Sequence, residues 1–486
     1  MVSFKAKKQY NDKKPIGKET PMLFNVNELL ERIKKLHFIG IGGSGMFPLV
    51  EILLKEGYTI TGSDVNEGSI IDLERKLGID VKIGHNAENV GDAEAVVVTA
   101  ALLSGNPEVE YAHAHDIPII ERAELLGWVT RHYANAICVC GTHGKTTTTS
   151  MLTSMLLVDG IDPSAVIGGK LPLIGGYGRH GESDVLVCEA CEFKDTFLHL
   201  TPDYAVILNV DADHLDYFGS LEGVIASFNK FAKMTTKKII ANGDDANTKK
   251  ALEGVDKEII YFGEGAQNDF VISDVKNYAR AFYSFVLSDK NGVIGEFKLS
   301  VPGRHNVLNA TAALCAAVVL SKESGKAFDL EKLKDGLWQF KGAGRRFEFL
   351  GEHGGITIAD DYAHHPTEIS VTLDAAKKMG YNRVIAVFQP FTFTRTMLLL
   401  NEFADALKKA DLVVMTEIMG SREINTCGVS TADLAAKIDG SVWFNTFDEV
   451  VDYCLSIARD GDLFITLGCG DIYKAAKMMV EKCKEF

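Results

Sequence analysis

The stretch CVCGTHGKTTTTS, residues 138–150, decides how the rest of the chain is read. An apolar run, AICVC at 136–140, turns at Gly141, reaches Gly144-Lys145-Thr146 and enters a run of threonines. A phosphate loop ordinarily has glycine, four residues and then Gly-Lys-Thr/Ser. Counting back from Gly144, that first glycine should stand at Val139, and Gly141 comes two places late. The chemistry is nevertheless that of a phosphate site. Gly141, Thr142, His143 and Gly144 form a turn whose backbone N–H groups can crowd a phosphoryl group. Lys145 adds a mobile cation, Thr146 a hydroxyl for Mg²⁺, and Thr147 a further hydroxyl at the positive end of the next helix. The plain alternative is a generously capped helix N-terminus.

Upstream, LHFIGIGGSG at 36–45 is a second strand running into glycines, and residues 46–56 carry a helical apolar stripe. Gly40, Gly42 and Gly45 match G-x-G-x-x-G, with Gly43, Ser44 and Met46 completing the turn. YTITGSD ends at Asp64, where a ribose-binding acid would sit, and strands follow at 93–101 and 117–120. This loop suits a diphosphate without naming what hangs from it. A nicotinamide dinucleotide, a nucleotide sugar and a bare strand–helix corner all remain open at this point.

Downstream, DVLVCEA at 184–190 ends in Glu189, and YAVILNV at 204–210 leads to Asp211, Asp213 and His214. Continuous apolar strands predict a parallel sheet covered on both faces, with these acids at its carboxyl edge. Carboxylates there are suitable hard ligands for Mg²⁺. Alternating stretches in 269–300 predict an antiparallel portion, and HNVLNATAALCAAVVL at 305–320 a helix, with Asn306 as its cap. After the hinge-like KGAGRRFEF at 341–349, four more strands end at Asp361, Gln389, Glu417 and Gly470. Strands alternating with helices throughout predict an α/β fold.

A length of 486 residues suggests about three domains. The net charge of −15 argues against a nucleic-acid surface. The basic N-terminus lacks the apolar segment of a secretory signal and reads as a loose polar extension, and no apolar run is long enough to span a membrane. Nine cysteines scattered through a chain this long read as reduced core thiols, which favours the cytoplasm. Cys188 and Cys191 have C-x-x-C spacing, but no second pair completes a zinc site.

GTHGKTTTT at 141–149 resembles the ATP loop of the Mur ligases, the ATP-dependent amide-forming enzymes of peptidoglycan peptide synthesis. IGIGGSGM at 39–46, CEACEFKDTFL at 188–198, GRHNVLNA at 303–310, DDYAHHPTE at 360–368, FQPFTFTRT at 388–396 and GCGDIYK at 468–474 extend the resemblance in the family's order. It implies a three-domain architecture after an extension at 1–35. The expected parts are a Rossmann-like UDP-sugar domain at 36–134, a P-loop-type ATPase domain at 135–342 and a Rossmann-like amino-acid domain at 343–486. It also implies ATP-dependent joining of L-alanine to the lactyl carboxylate of UDP-N-acetylmuramate through an acyl phosphate. A homo-oligomer is left open.

By the same resemblance, the Gly40–Gly45 loop, Met46, Asp64, His85 and Thr99 would hold the sugar nucleotide. Lys145 would meet the terminal phosphates of ATP. Thr146 and Glu189 would hold one Mg²⁺, and Glu189 with His214 a second. His305, Asn306 and Asn309 would lie near adenine, Arg346, Asp361, Tyr362 and His364 would face ATP, and Arg395 would contact a substrate carboxylate or phosphate. With Lys145 exposed to ligand, Lys145→Ala is expected to stop turnover and spare the fold. A dehydrogenase would leave Lys145 and DDYAHHP without a role, and a nonenzymatic nucleotide switch would show no amino-acid-dependent phosphate release. The family member that attaches a tripeptide to the same sugar nucleotide is the nearest alternative. Two departures stand out: EACEFKD replaces an EADESD-like stretch, and Phe391 stands where the family usually has histidine.

Overall fold

Runs that are apolar on every residue must be buried on both faces, and here they pair mostly as parallel strands joined by helices. The structure is a computed structural model and describes residues 25–484, apart from 100, 101, 103, 104 and 422. Most of the expected N-terminal extension, residues 1–24, lies outside the described residues. Val26–Arg32 is a helix capped by Asn25, with Leu30 fully buried and its carbonyl accepting from the Tyr58 hydroxyl at 2.6 Å.

The first compact unit, ending at Trp128, is built on five parallel strands. Their order is Asp80–Ile83, Thr59–Asp64, Lys35–Ile39, Ala95–Val98 and Ile119–Glu121. Asp80–Ile83 escaped the sequence reading because only Val81 of its four residues is buried. The strand expected at 117–120 is displaced to Ile119–Glu121.

The second unit, from Val129, holds the other two sheets. Its ten-stranded sheet has Asn135–Cys140 near the centre, paired in parallel with Tyr204–Ile207 on one side and Val185–Glu189 on the other. The antiparallel portion expected near 269–300 is present as Phe270–Ala279, Phe282–Asp289 and Gly292–Lys298. The third sheet contains the four expected strands and two edge strands that the sequence hid, Glu348–His353 and Val442–Phe444. Both are only partly buried.

Helix His305–Ser324 is the one helix among the described residues long and apolar enough to cross a membrane, yet it is mostly buried in the core around the central sheet. It packs on Lys145–Asp159, the helix that leaves the phosphate loop, as does Leu330–Gln339. The last contact is backbone-close: a Cβ on Gly336 would lie 2.6 Å from Met155 Cα. Gly336→Ala therefore forces two helices apart, and we expect a loss of about 1–3 kcal/mol, measurable as a lower denaturant midpoint with an unchanged slope.

Candidate functional site

The central strand Asn135–Cys140 delivers the chain to the carboxyl edge of the sheet, where Gly141 begins the turn. Gly144 caps the next helix in the left-handed region at φ 89°, and a Cβ there would lie 2.4 Å from Asn309 Oδ1. Only glycine combines that dihedral with that approach. Asn209 clamps the turn from the neighbouring strand end. Its Oδ1 accepts from His143 N at 2.9 Å, and its Nδ2 donates to the His143 carbonyl at 3.0 Å. Thr142 Oγ1 accepts from Asp211 N at 2.9 Å. The sequence reading missed Asn209, because its value lies in a contact 66 residues distant along the chain.

Lys145 is not exposed as expected. Its side chain retains 15% exposure, and Nζ donates to Glu192 at 2.9 and 3.1 Å, to the Gly141 carbonyl at 2.6 Å and to the Thr142 carbonyl at 3.1 Å. Burial alone would lower the lysine's pKa, but Glu192 outweighs it and drives the value up. Glu192, a carboxylate 2% exposed, was visible in EACEFKD only as a neighbour of the cysteines. Those cysteines form no site: Cys188 faces Cys138 at 3.4 Å between sulfurs, and burial pushes the Cys191 thiol up to about 11.

Thr146 Oγ1 donates to Glu189 Oε1 at 2.8 Å, and Arg346 Nη2 reaches the same hydroxyl at 3.4 Å. A threonine hydroxyl and a carboxylate together are the oxygen donors Mg²⁺ takes, so this pair fits the ion. His214 is set beside Asp213, at 3.9 Å, and its ring lies 4.6 Å from that of Phe193. Among the described residues no three His, Cys, Asp or Glu side chains are grouped as a metal cage.

A cleft opens beside the loop, lined by His143, Gly144, Thr147, His305, Asn306, Asn309, Arg346 and Asp361 among others. A neighbouring cleft shares His143, Gly144, His305 and Asn309. Asn306 is not the cap it was expected to be. Arg304 holds that position, while Asn306 Nδ2 donates back to the Pro302 carbonyl and its Oδ1 accepts from Asn309. Asp361 accepts from Phe347 N and Ala363 N, both at 2.7 Å, and burial raises it to about 6 despite Arg346. The Tyr362 ring lies 5.0 Å from the Arg345 guanidinium and 5.2 Å from that of Arg346. Arg345, overlooked beside Arg346, ties the presumed hinge to the third sheet through Asp360 and the Gly468 and Gly470 carbonyls.

Among the described residues, two ion pairs join the central and third sheets. His143 lies between Asp211, 3.4 Å from Nε2, and Glu368, 3.3 Å from Nδ1. Glu368 also meets His364 Nδ1 at 3.2 Å. Burial would lower the His143 pKa, but the two carboxylates overcome it and raise it to about 9. Its hydrogen bond holds Asp211 down at about 2. Arg395 Nη2 pairs with Asp213 Oδ1 at 3.2 Å. Phe391 lies just before the helix Phe393–Leu398 that carries Arg395 and forms an isolated β-bridge with Met419.

In the first unit, the glycine loop follows the central strand Lys35–Ile39. Gly42 N donates to Asp64 Oδ2 at 3.1 Å, and a Cβ on Gly42 would lie 2.7 Å from Ile71 Cδ1. The Thr99 methyl lies against Gly40 and the Arg122 guanidinium against Gly45. His85 Nδ1 contacts Ser63 Oγ at 3.1 Å and Glu108 at 3.4 Å. The residues expected from Gly40 to Met46, with Asp64, His85 and Thr99, therefore gather at one sheet edge. Arg122 and the buried Glu108 join them without any sequence signal.

Two outcomes follow from these charges. Lys145→Ala leaves Glu192 buried without its cation, so we expect both lost turnover and a destabilisation of about 3 kcal/mol. Adding Glu192→Gln should restore most of the stability and none of the turnover, as read by chemical denaturation and phosphate release. His143 has a raised folded-state pKa, so its stabilisation is complete below about pH 6.5 and fades as pH rises through about 9. His143→Gln should flatten that part of the stability–pH curve.

The family description for the Mur ligase middle domain matches residues 139–317. That for the Mur ligase family catalytic domain matches 35–134, and that for the Mur ligase glutamate ligase domain matches 345–470. A UDP-N-acetylmuramate–L-alanine ligase of Caldanaerobacter subterraneus subsp. tengcongensis is 42% identical over 462 residues, covering 94% of this chain and 99% of its own. One from Clostridium acetobutylicum is 40% identical over 455 residues, covering 92% and 98%. The crystal structure of a UDP-N-acetylmuramate–alanine ligase from Thermotoga maritima superposes with a TM-score of 0.77 at 29% identity, covering 93% of this chain and 99% of that one. A murein peptide ligase from Psychrobacter arcticus shares the fold, with a TM-score of 0.72 at 24% identity, 93% of this chain and 99% of its own being covered. The expected three-domain α/β architecture is thereby borne out, and the chain belongs to the Mur ligase family of ATP-dependent ligases.

Proposed function

We propose that the protein joins L-alanine to the lactyl carboxylate of UDP-N-acetylmuramate at the expense of ATP, as a cytoplasmic step of peptidoglycan precursor synthesis. The observation that carries the reaction type is the phosphate loop with Lys145, Thr146 and Glu189 brought together at one sheet edge. The substrates follow from the names of relatives that match this chain over nearly its whole length. The free cysteines suit a reducing compartment.

A carboxylate is a poor acyl donor, because its oxygen is a poor leaving group. Moving the γ-phosphoryl of ATP onto the lactyl carboxylate gives an acyl phosphate and ADP. The amine of L-alanine then attacks the acyl carbon, the C–O bond to phosphate breaks, and an amide and inorganic phosphate leave. Lys145 is assigned to the charge that gathers on the transferring group. Thr146 and Glu189 are assigned to one Mg²⁺ and Glu189 with His214 to a second; such ions, when bound, would neutralise phosphate oxygens. His305, Asn306 and Asn309 take the adenosine end, with Arg346, Asp361, Tyr362 and His364 closing the cleft. Arg395 would leave Asp213 to meet substrate. In the first unit, the Gly40–Gly45 loop, Met46, Asp64, His85 and Thr99 take the UDP portion.

Phosphate release with UDP-N-acetylmuramate, ATP and a panel of amines tests this. We expect efficient release with L-alanine, weaker release with glycine or L-serine, almost none with an L-Ala-γ-D-Glu tripeptide, and none after metal chelation. In the same assay, Asp64→Ala should raise KM for the sugar nucleotide by roughly 10- to 150-fold and leave KM for ATP nearly unchanged. Preference for the tripeptide would instead make this a peptide-joining ligase.

A further inference from the structure

Lys145 has no idle donor. Its ammonium carries three N–H groups, and in this structure they face two loop carbonyls and both oxygens of Glu192. A phosphate oxygen can be gripped by Lys145 only if one of these contacts yields. The Gly141 and Thr142 carbonyls belong to the turn itself and stay with it. Glu192 is different. It stands just beyond the neighbouring strand Val185–Glu189, carries a full negative charge opposing a triphosphate, and is 2% exposed. Water therefore does little to screen that opposition.

We propose that Glu192 is a positioning residue for Lys145: one carboxylate oxygen holds the ammonium in line, and the contact to the other is the one that the triphosphate displaces. The proposal rests on the loop taking ATP. Its consequence is a split between binding and chemistry. Removing the carboxylate takes away a competitor for Lys145 and a repulsive charge, so nucleotide binds more tightly. It also removes the group that aligns Lys145, so phosphoryl transfer slows. A residue needed only for packing would weaken both.

The experiment is calorimetry with a nonhydrolysable ATP analogue in excess Mg²⁺, on the full chain and on Glu192→Gln, alongside kcat at saturating substrates. We expect Kd for the analogue to fall by about 3- to 10-fold and kcat to fall by about 10- to 100-fold. Unchanged or weaker binding in the variant, or an unchanged kcat, overturns the proposal. So does a raised Mg²⁺ requirement with unaltered nucleotide affinity, which would place Glu192 on the metal. If Glu192→Gln does not fold, Glu192→Asp retracts the same charge by one methylene. Smaller changes in the same two directions support the proposal, and parental values overturn it. Failure of the parent protein to bind the analogue would instead remove the ATP reading on which the proposal stands.

Discussion

Everything at the nucleotide edge depends on the parallel register that sets Val139 opposite both Glu189 and Val206. Side chains alternate faces along a strand, so a slip of one residue would turn Glu189 from the crevice into the sheet. The register is held by burial: every residue from Ala136 to Cys140 is fully enclosed, as are Leu186 to Cys188 and Ala205 to Ile207. Hydrophobic area thus fixes the position of polar groups that contribute nothing to that area. Thr146 meets Glu189 and Lys145 meets Glu192 because the two strands between them cannot shift.

The acidic chain makes a local anion site by pairing charges across sequence distance. Lys145, His143 and Arg395 each face a carboxylate, and each of those carboxylates comes from another segment. Such pairs are poor sources of net stability when buried, since desolvation offsets most of the Coulomb attraction. What they supply is orientation. The phosphate loop is held by Asn209 through backbone hydrogen bonds and by Glu192 through an ion pair, so little of its geometry waits on ligand.

Much of this was legible in the sequence. Apolar runs into glycine gave the central strands of all three sheets, and the loop chemistry of Gly144, Lys145 and Thr146 required only local spacing. Three of the missed strands share a physical origin. Asp80–Ile83, Glu348–His353 and Val442–Phe444 are edge strands, and a strand with one wet face loses the continuous apolar run that identifies its neighbours. Glu192, Asn209 and Arg122 act through partners dozens of residues away, and no local pattern encodes that meeting. Asn306 misled because an asparagine just after a turn suits a cap, whereas the chain enters this helix two residues earlier, at Arg304. Glu368 closes a capping box at the start of its helix, but its other partner, His143, lies 225 residues away, beyond the reach of local pattern.

That double engagement of Glu368 bears on how easily the third sheet could part from the phosphate loop. Oε2 already accepts from His364 N and His365 N within its own helix start, and only Oε1 reaches across to His143. If the contact opens, Glu368 keeps its backbone partners, His143 keeps Asp211, and water replaces one hydrogen bond. Each charge keeps a partner, so opening this contact costs about 1.5–3 kcal/mol, the worth of one hydrogen bond between charged groups. This contact behaves as a detent rather than a bolt, while Arg395 and Asp213 must also part before the two sheets separate.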